Sequence, residues 1–199
     1  DAADEGSLLS KKIHQIITFI QLDMTRGEMT DEEEASLSTV LTQLYYAFGI
    51  TTDNESIWED KENKIVKKMP IIEDLYKMAL NDSILSERIV TILNPYVFGE
   101  CKNMNGQTNV DLENKFVAIS ISRAGKKIGP FSFLATSTCY DRLKEDRIEN
   151  CGLMMDEVWQ MMVNEYASTY VMDIYKIIRG YGGAAISATQ DTEDLRKSI

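Results

Sequence analysis

The sequence predicts an α/β chain in two parts: an all-helical subdomain over residues 1–108, then a parallel sheet with helices between its strands over 109–199. Three observations carry this. Apolar residues recur at helical spacing through the first half, as in Leu9, Ile13, Ile16, Ile17 and Ile20. After Asn105-Gly106 the pattern changes to short apolar runs separated by helix-length segments, the signature of strand-helix-strand units. The charge changes with it: residues 1–100 hold 19 acidic against 9 basic side chains, net −10, and residues 101–199 hold 13 against 12, net −1. With 199 residues and 44% apolar side chains, the chain is long enough for a sizeable core.

The elements follow in order. A first amphipathic helix runs from about Ser7 to Met24. Arg26-Gly27-Glu28 turns the chain, and Thr30 with Glu33 forms a capping box for a second helix. Its stripe of Leu37, Val40, Leu41, Leu44, Tyr45 and Phe48 ends at Gly49, so the two helices form an antiparallel hairpin. Residues 51–68 are polar with isolated apolar positions and read as a surface loop with at most a short helix. Pro70 opens a third helix through Ile72, Leu75, Tyr76 and Ala79; Asp82 or Ser83 caps a fourth that stops near Gly99. Phe116–Ile121 has the length and residue types of a buried strand. An apolar helix follows Gly129-Pro130, then a strand from Gly152 to Met155, a long helix to about Ile178, and a strand from Ala184 to Ala188. Parallel strands joined by helices imply right-handed crossovers.

Composition removes several function classes. Cys101, Cys139 and Cys151 are odd in number and lack Cys-x-x-Cys spacing, which argues against a disulfide framework or a zinc site and for small buried hydrophobes. His14 is the one histidine, and no Gly-x-Ser-x-Gly is present, which argues against a Ser-His-Asp hydrolase. No apolar run approaches the ~20 residues of a membrane helix, and no signal peptide is visible; a soluble, cytoplasmic chain is expected. An acidic first half is a poor surface for nucleic acid, whose affinity comes mainly from phosphate neutralisation. Asp31–Glu34 reads as a helix start, and Met154, Met155, Met161 and Met162 read as core.

The chemistry concentrates between Cys151 and Asp191. Two buried strands of a parallel sheet each deliver polar groups at the carboxyl end, where open α/β sheets bind ligands: Asp156-Glu157 after the first, Gln190 after the second. Beside a nucleotide, such an Asp holds the magnesium shell and a neighbouring base orients the attacking water. The plain alternative for Asp156-Glu157 is a helix N-terminus that favours acidic residues; for Gln190 it is a solvated loop position. Arg179 answers charge on a phosphate, in its own subunit or across an interface, or else a helix C-terminus. Gly182 and Gly183 suit a tight path from helix to strand. A Gly-x-x-x-x-Gly-Lys-Ser/Thr cradle is absent from these residues. Gly125-Lys126-Lys127 lacks a glycine five positions earlier and is followed by neither Ser nor Thr.

Leu153-Met154-Met155-Asp156-Glu157-Val158-Trp159, Arg179-Gly180-Tyr181-Gly182-Gly183 with Ala188-Thr189-Gln190-Asp191, and Asn105-Gly106-Gln107-Thr108-Asn109-Val110-Asp111-Leu112 resemble the motor ATPases of type IV secretion and conjugation systems. These are the VirB/TraC-type members of the HerA–FtsK superfamily. The resemblance covers most of the chain, because that family also carries an all-helical insertion between its nucleotide-binding strand and its second catalytic strand. It implies a partial RecA-like P-loop NTPase core carrying the Walker B strand and the Gln-bearing strand. It further implies ATP hydrolysis with magnesium by a hexamer at the inner face of the cell membrane. The partners implied are type IV secretion channel proteins, with possible DNA contact through the oligomer, and the work done is DNA transfer and pilus or channel assembly. By position, Asp156 matches the magnesium-associated carboxylate, Glu157 the catalytic glutamate, Gln190 the phosphate-sensing glutamine and Arg179 a motif arginine.

The missing phosphate loop leads to the expectation of a fragment of a larger ATPase, inactive by itself and with no nucleotide bound. Two rivals stand beside it: a non-catalytic helical interaction module of a secretion complex, and part of a related DNA-translocase or terminase-like motor. The motor reading requires Asp156 and Gln190 on the same edge of one sheet; Glu157 and Arg179 are then expected to open toward a shared cleft.

Overall fold

A computed structural model gives the structure of residues 6–24, 28–109, 114–122, 124–146, 151–162 and 165–189. The chain divides into two units, residues 1–109 and 110–199.

In the first unit, α1 (Leu8–Asp23) starts where the Ser7 hydroxyl accepts from the Ser10 amide at 3.1 Å. Helix α2 (Asp31–Ala47) starts at the reciprocal bonds of the capping box, Glu33 N–H to Thr30 Oγ1 at 3.2 Å and Thr30 N–H to Glu33 Oε2 at 2.8 Å. It ends at Phe48, with Gly49 left-handed at φ +75°. The segment expected as a loop instead folds a short antiparallel hairpin, β1 (Trp58–Asp60) with β2 (Ile65–Val66). The Asp60 carboxylate closes its turn by accepting from the backbone and side-chain amides of Asn63 at 3.1 and 2.6 Å. Helix α3 (Ile72–Ala79) starts two residues after Pro70.

Asp82 caps as expected, accepting from the Ile84 and Leu85 amides at 2.8 and 2.9 Å and from the Ser36 hydroxyl at 2.9 Å. The residues it caps form turns, and α4 (Arg88–Val97) begins only afterwards. The core of this unit joins Ile20, Leu37, Leu41, Ala79, Leu85 and Ile89. Two polar ties cross it. Arg88 Nη1 donates to Glu33 Oε2 at 3.0 Å and Nη2 to the Glu28 carbonyl at 2.7 Å, holding the α1–α2 connection against α4. The buried Tyr96 hydroxyl donates to Asp23 Oδ2 at 3.0 Å.

In the second unit, α5 (Ile128–Asp146), β3 (Cys151–Asp156), α6 (Glu165–Ile177) and β4 (Gly183–Ala188) follow the expected order. Strands β3 and β4 pair in parallel, from Cys151 with Gly183 to Asp156 with Ala188. Their inner face lies on α5 and α6: Leu153, Met155 and Ala185 pack with Tyr140, Leu143, Val171 and Ile174. The other face is open, contrary to the buried strands expected, with Met154 75% and Ile186 52% exposed. Of the methionine cluster, Met155, Met161 and Met162 are core and Met154 is not.

Phe116–Ile121 is not a strand, and Phe116 is 84% exposed. β-forming side chains make a strand only where a neighbour accepts the backbone hydrogen bonds. Among the described residues, β3 and β4 pair only with each other.

Candidate functional site

Cys151–Met155 is apolar and β-prone, and its alternation puts Leu153 and Met155 inward, which leaves Asp156 at the exposed carboxyl end of β3. The chain then turns sharply. Glu157 takes a left-handed conformation, φ 51° and ψ 45°, and Val158–Gln160 form a single 3-10 turn anchored by the buried Val158, Met161 and Met162. The Glu157 carboxylate is half-buried, and its Oε2 accepts from Trp159 Nε1 at 2.5 Å. Helix α6 starts only at Glu165. Asp156-Glu157 therefore does not occupy the first turn of an α-helix, which removes the dipole explanation for the pair.

The second strand is set by its glycines. Gly182 is left-handed at φ 80°, and a Cβ on Gly183 would lie 2.9 Å from the Ile178 side chain and 3.1 Å from Cys151 Sγ. Both serve the tight path from α6 into β4. Because Asp156 pairs with Ala188, the carboxyl ends of both strands lie on one edge of the sheet. Gln190, two residues past Ala188, lies outside the described residues.

Arg179 is not brought to that edge. It is exposed in the 3-10 turn Ile178–Tyr181 ahead of Gly183, at the amino end of β4. The ladder between the two edges is six residues long, roughly 16 Å at the usual strand rise. The expected cleft shared by Glu157 and Arg179 is thus not formed within one chain. Trp159, which the sequence reading assigned no role, is the side chain that meets Glu157. Its signal was available, two residues beyond a strand-ending carboxylate.

At the carboxyl edge of the sheet Asp156 is the side chain that could hold a metal ion. Magnesium is characteristically held by one or two carboxylates together with substrate phosphates and water, and an exposed Asp at a parallel-strand carboxyl end meets that need. Asp156 would hold the ion through its water shell.

The structure of VirB4 of Thermoanaerobacter pseudethanolicus matches this chain with a TM-score of 0.78 and 23% identity, over 96% of this chain and 52% of that one. The chain has the fold of a VirB4 segment. It spans about half the length of the VirB4 chain, and both the helical unit and the two-stranded unit fall within the match. No family model matches the sequence, and no curated protein does. Among the described residues no helix is long and apolar enough to cross a membrane.

Proposed function

We propose that this chain is the part of a type IV secretion motor ATPase that carries the magnesium-associated and water-activating carboxylates. The observation that carries the reading is the register of β3 and β4 within a VirB4 fold: Asp156 ends one parallel strand opposite Ala188, two residues before Gln190. In this reading the phosphate cradle and its lysine come from polypeptide outside these 199 residues.

The roles follow from position. Asp156 holds the water shell of magnesium, which supplies positive charge to the phosphates when bound. Glu157 orients a water and takes its proton as the water oxygen bonds to the γ-phosphorus. The bond from that phosphorus to the bridging oxygen breaks, and ADP leaves with the electron pair. Gln190, two residues past Ala188 in the sequence, is assigned to sensing the γ-phosphate. Arg179, a strand length away, serves the nucleotide of an adjacent subunit, as an arginine supplied in trans does in phosphoryl transfer. That role makes the assembly a ring, and a hexamer is the reading adopted. Its partners in this reading are type IV secretion channel proteins, DNA contact comes through the oligomer or through polypeptide outside these 199 residues, and the motor works at the inner face of the membrane, driving DNA transfer and pilus or channel assembly.

Hydrolysis assays of the full-length gene product and of these 199 residues test the reading together. Magnesium-dependent turnover is expected from the former and none above background from the latter. Glu157-dependent turnover by the 199 residues, or none from the full-length product, contradicts it.

A further inference from the structure

Two features meet at Glu157. Its backbone is left-handed, a conformation that is unfavourable for a non-glycine residue, and its carboxylate is tied to the side chain two residues on. Lys64, in the hairpin turn between β1 and β2, is the one other non-glycine residue with positive φ among those described. At Glu157 the surroundings impose the conformation: Val158, Met161 and Met162 are locked in the core, and the Gln160 amide donates back to the Glu157 carbonyl at 3.0 Å. The turn so made swings the Trp159 indole onto the carboxylate.

We propose that Trp159 is a positioning residue for Glu157, holding one carboxylate oxygen so that the other is presented to the attacking water. The proposal rests on the ATPase reading and names a further residue of the same site. A glutamate at a strand end has three side-chain torsions to fix, and a misplacement of about 1 Å at a reacting group costs on the order of 10²-fold in rate. The indole N–H is a donor only, and it is neutral. It therefore orients the carboxylate without bringing a counter-charge to it, as Arg or Lys would. Trp159 itself is half-buried beside Val158, so its ring is held by the same turn that sets the Glu157 backbone.

Two measurements test this. The chain has two tryptophans, Trp58 and Trp159, so an amide-proton NMR spectrum of the 199 residues shows two indole N–H signals, and W159F assigns them. In E157A the Trp159 signal is expected to move upfield and exchange faster with solvent while that of Trp58 stays; an unmoved Trp159 signal overturns the proposal whatever the protein hydrolyses. In the full-length gene product, W159F keeps the aromatic packing without the donor. It is expected to lower kcat about tenfold with KM for ATP within about twofold, and to lower the residual turnover of E157Q no further. W159H, which retains a ring N–H, is expected to recover part of the loss and guards against a folding defect in W159F. Wild-type kcat in W159F, a change in KM alone, or the same tenfold loss in the E157Q background overturns the positioning role. Turnover that E157Q abolishes and W159F spares removes this inference alone; wild-type turnover indifferent to E157Q removes the ATPase roles on which it rests.

Discussion

Asp156 and Ala188 face each other on the last rung of the parallel β3–β4 ladder, whereas Arg179 lies before the first rung. The carboxylates and the arginine therefore belong to opposite edges of one sheet, and a single chain cannot bring them together.

A subunit-mixing experiment follows from that separation. In the full-length gene product, R179A and E157Q are each expected to lower turnover by at least about 10²-fold, and a mixture of the two to restore part of it. In the mixture an intact Glu157 can face an intact Arg179 from its neighbour. No recovery on mixing, with both variants assembled, would return Arg179 to the helix-end role.

The Arg88 clamp is expected to be a stabilising polar contact of the helical unit. The Glu33 side chain is nearly buried, and Arg88 also reaches the Glu28 carbonyl. R88M removes charge-assisted hydrogen bonds and is expected to cost about 2 kcal/mol. Urea unfolding followed on α2 amide resonances measures it, and a midpoint equal to wild type contradicts the assignment.

Asp82 should make the stability of the same unit depend on pH. Its carboxyl lies below the usual carboxylate range, chiefly because it accepts from the Leu85 amide and also from the Ile84 amide and the Ser36 hydroxyl. A folded-state value below the unfolded one adds stability at neutral pH that is lost as pH falls through and below about 4. D82A is expected to cost about 1 kcal/mol at pH 7, with the gap from wild type narrowing toward pH 3. A gap that is constant or widens on acidification rules the capping account out.

Two buried tyrosine hydroxyls should behave oppositely. Tyr96 donates to Asp23, and Y96F is expected to destabilise by about 1–3 kcal/mol. The Tyr170 ring meets Phe133 and Tyr140 edge-on, and its hydroxyl is buried with no hydrogen-bond partner among the described residues. Y170F removes an unsatisfied group and is expected to be neutral or stabilising. Paired thermal unfolding of the two variants decides, and a loss at Tyr170 matching that at Tyr96 contradicts the contrast.

Local chemistry made α1, α2 and the β3 and β4 strands legible, because caps and apolar periodicity act within a few residues. Thr30 and Glu33 satisfy each other's backbone amides whatever surrounds them, and Gly49 ends its helix by its own φ. What depended on partners was not legible. Phe116–Ile121 has the residue types of a strand, but a strand is made by the chain beside it. The β1–β2 hairpin was missed because its turn rests on Asp60 and Asn63 in an otherwise polar run. At the site, the residue types at the strand ends could be read from sequence. The left-handed turn that sets Trp159 on Glu157, and the distance of Arg179 from both, required coordinates.

The central claim is that Glu157 acts on water in the transition state, and nucleotide binding measured beside turnover in the full-length E157Q variant tests it most directly. The expected result is loss of hydrolysis by a factor of at least about 10² with ATP binding within a few-fold of wild type, since a water-orienting base contributes little to ground-state affinity. Hydrolysis close to wild type in that variant, or a parallel loss of binding, would contradict it.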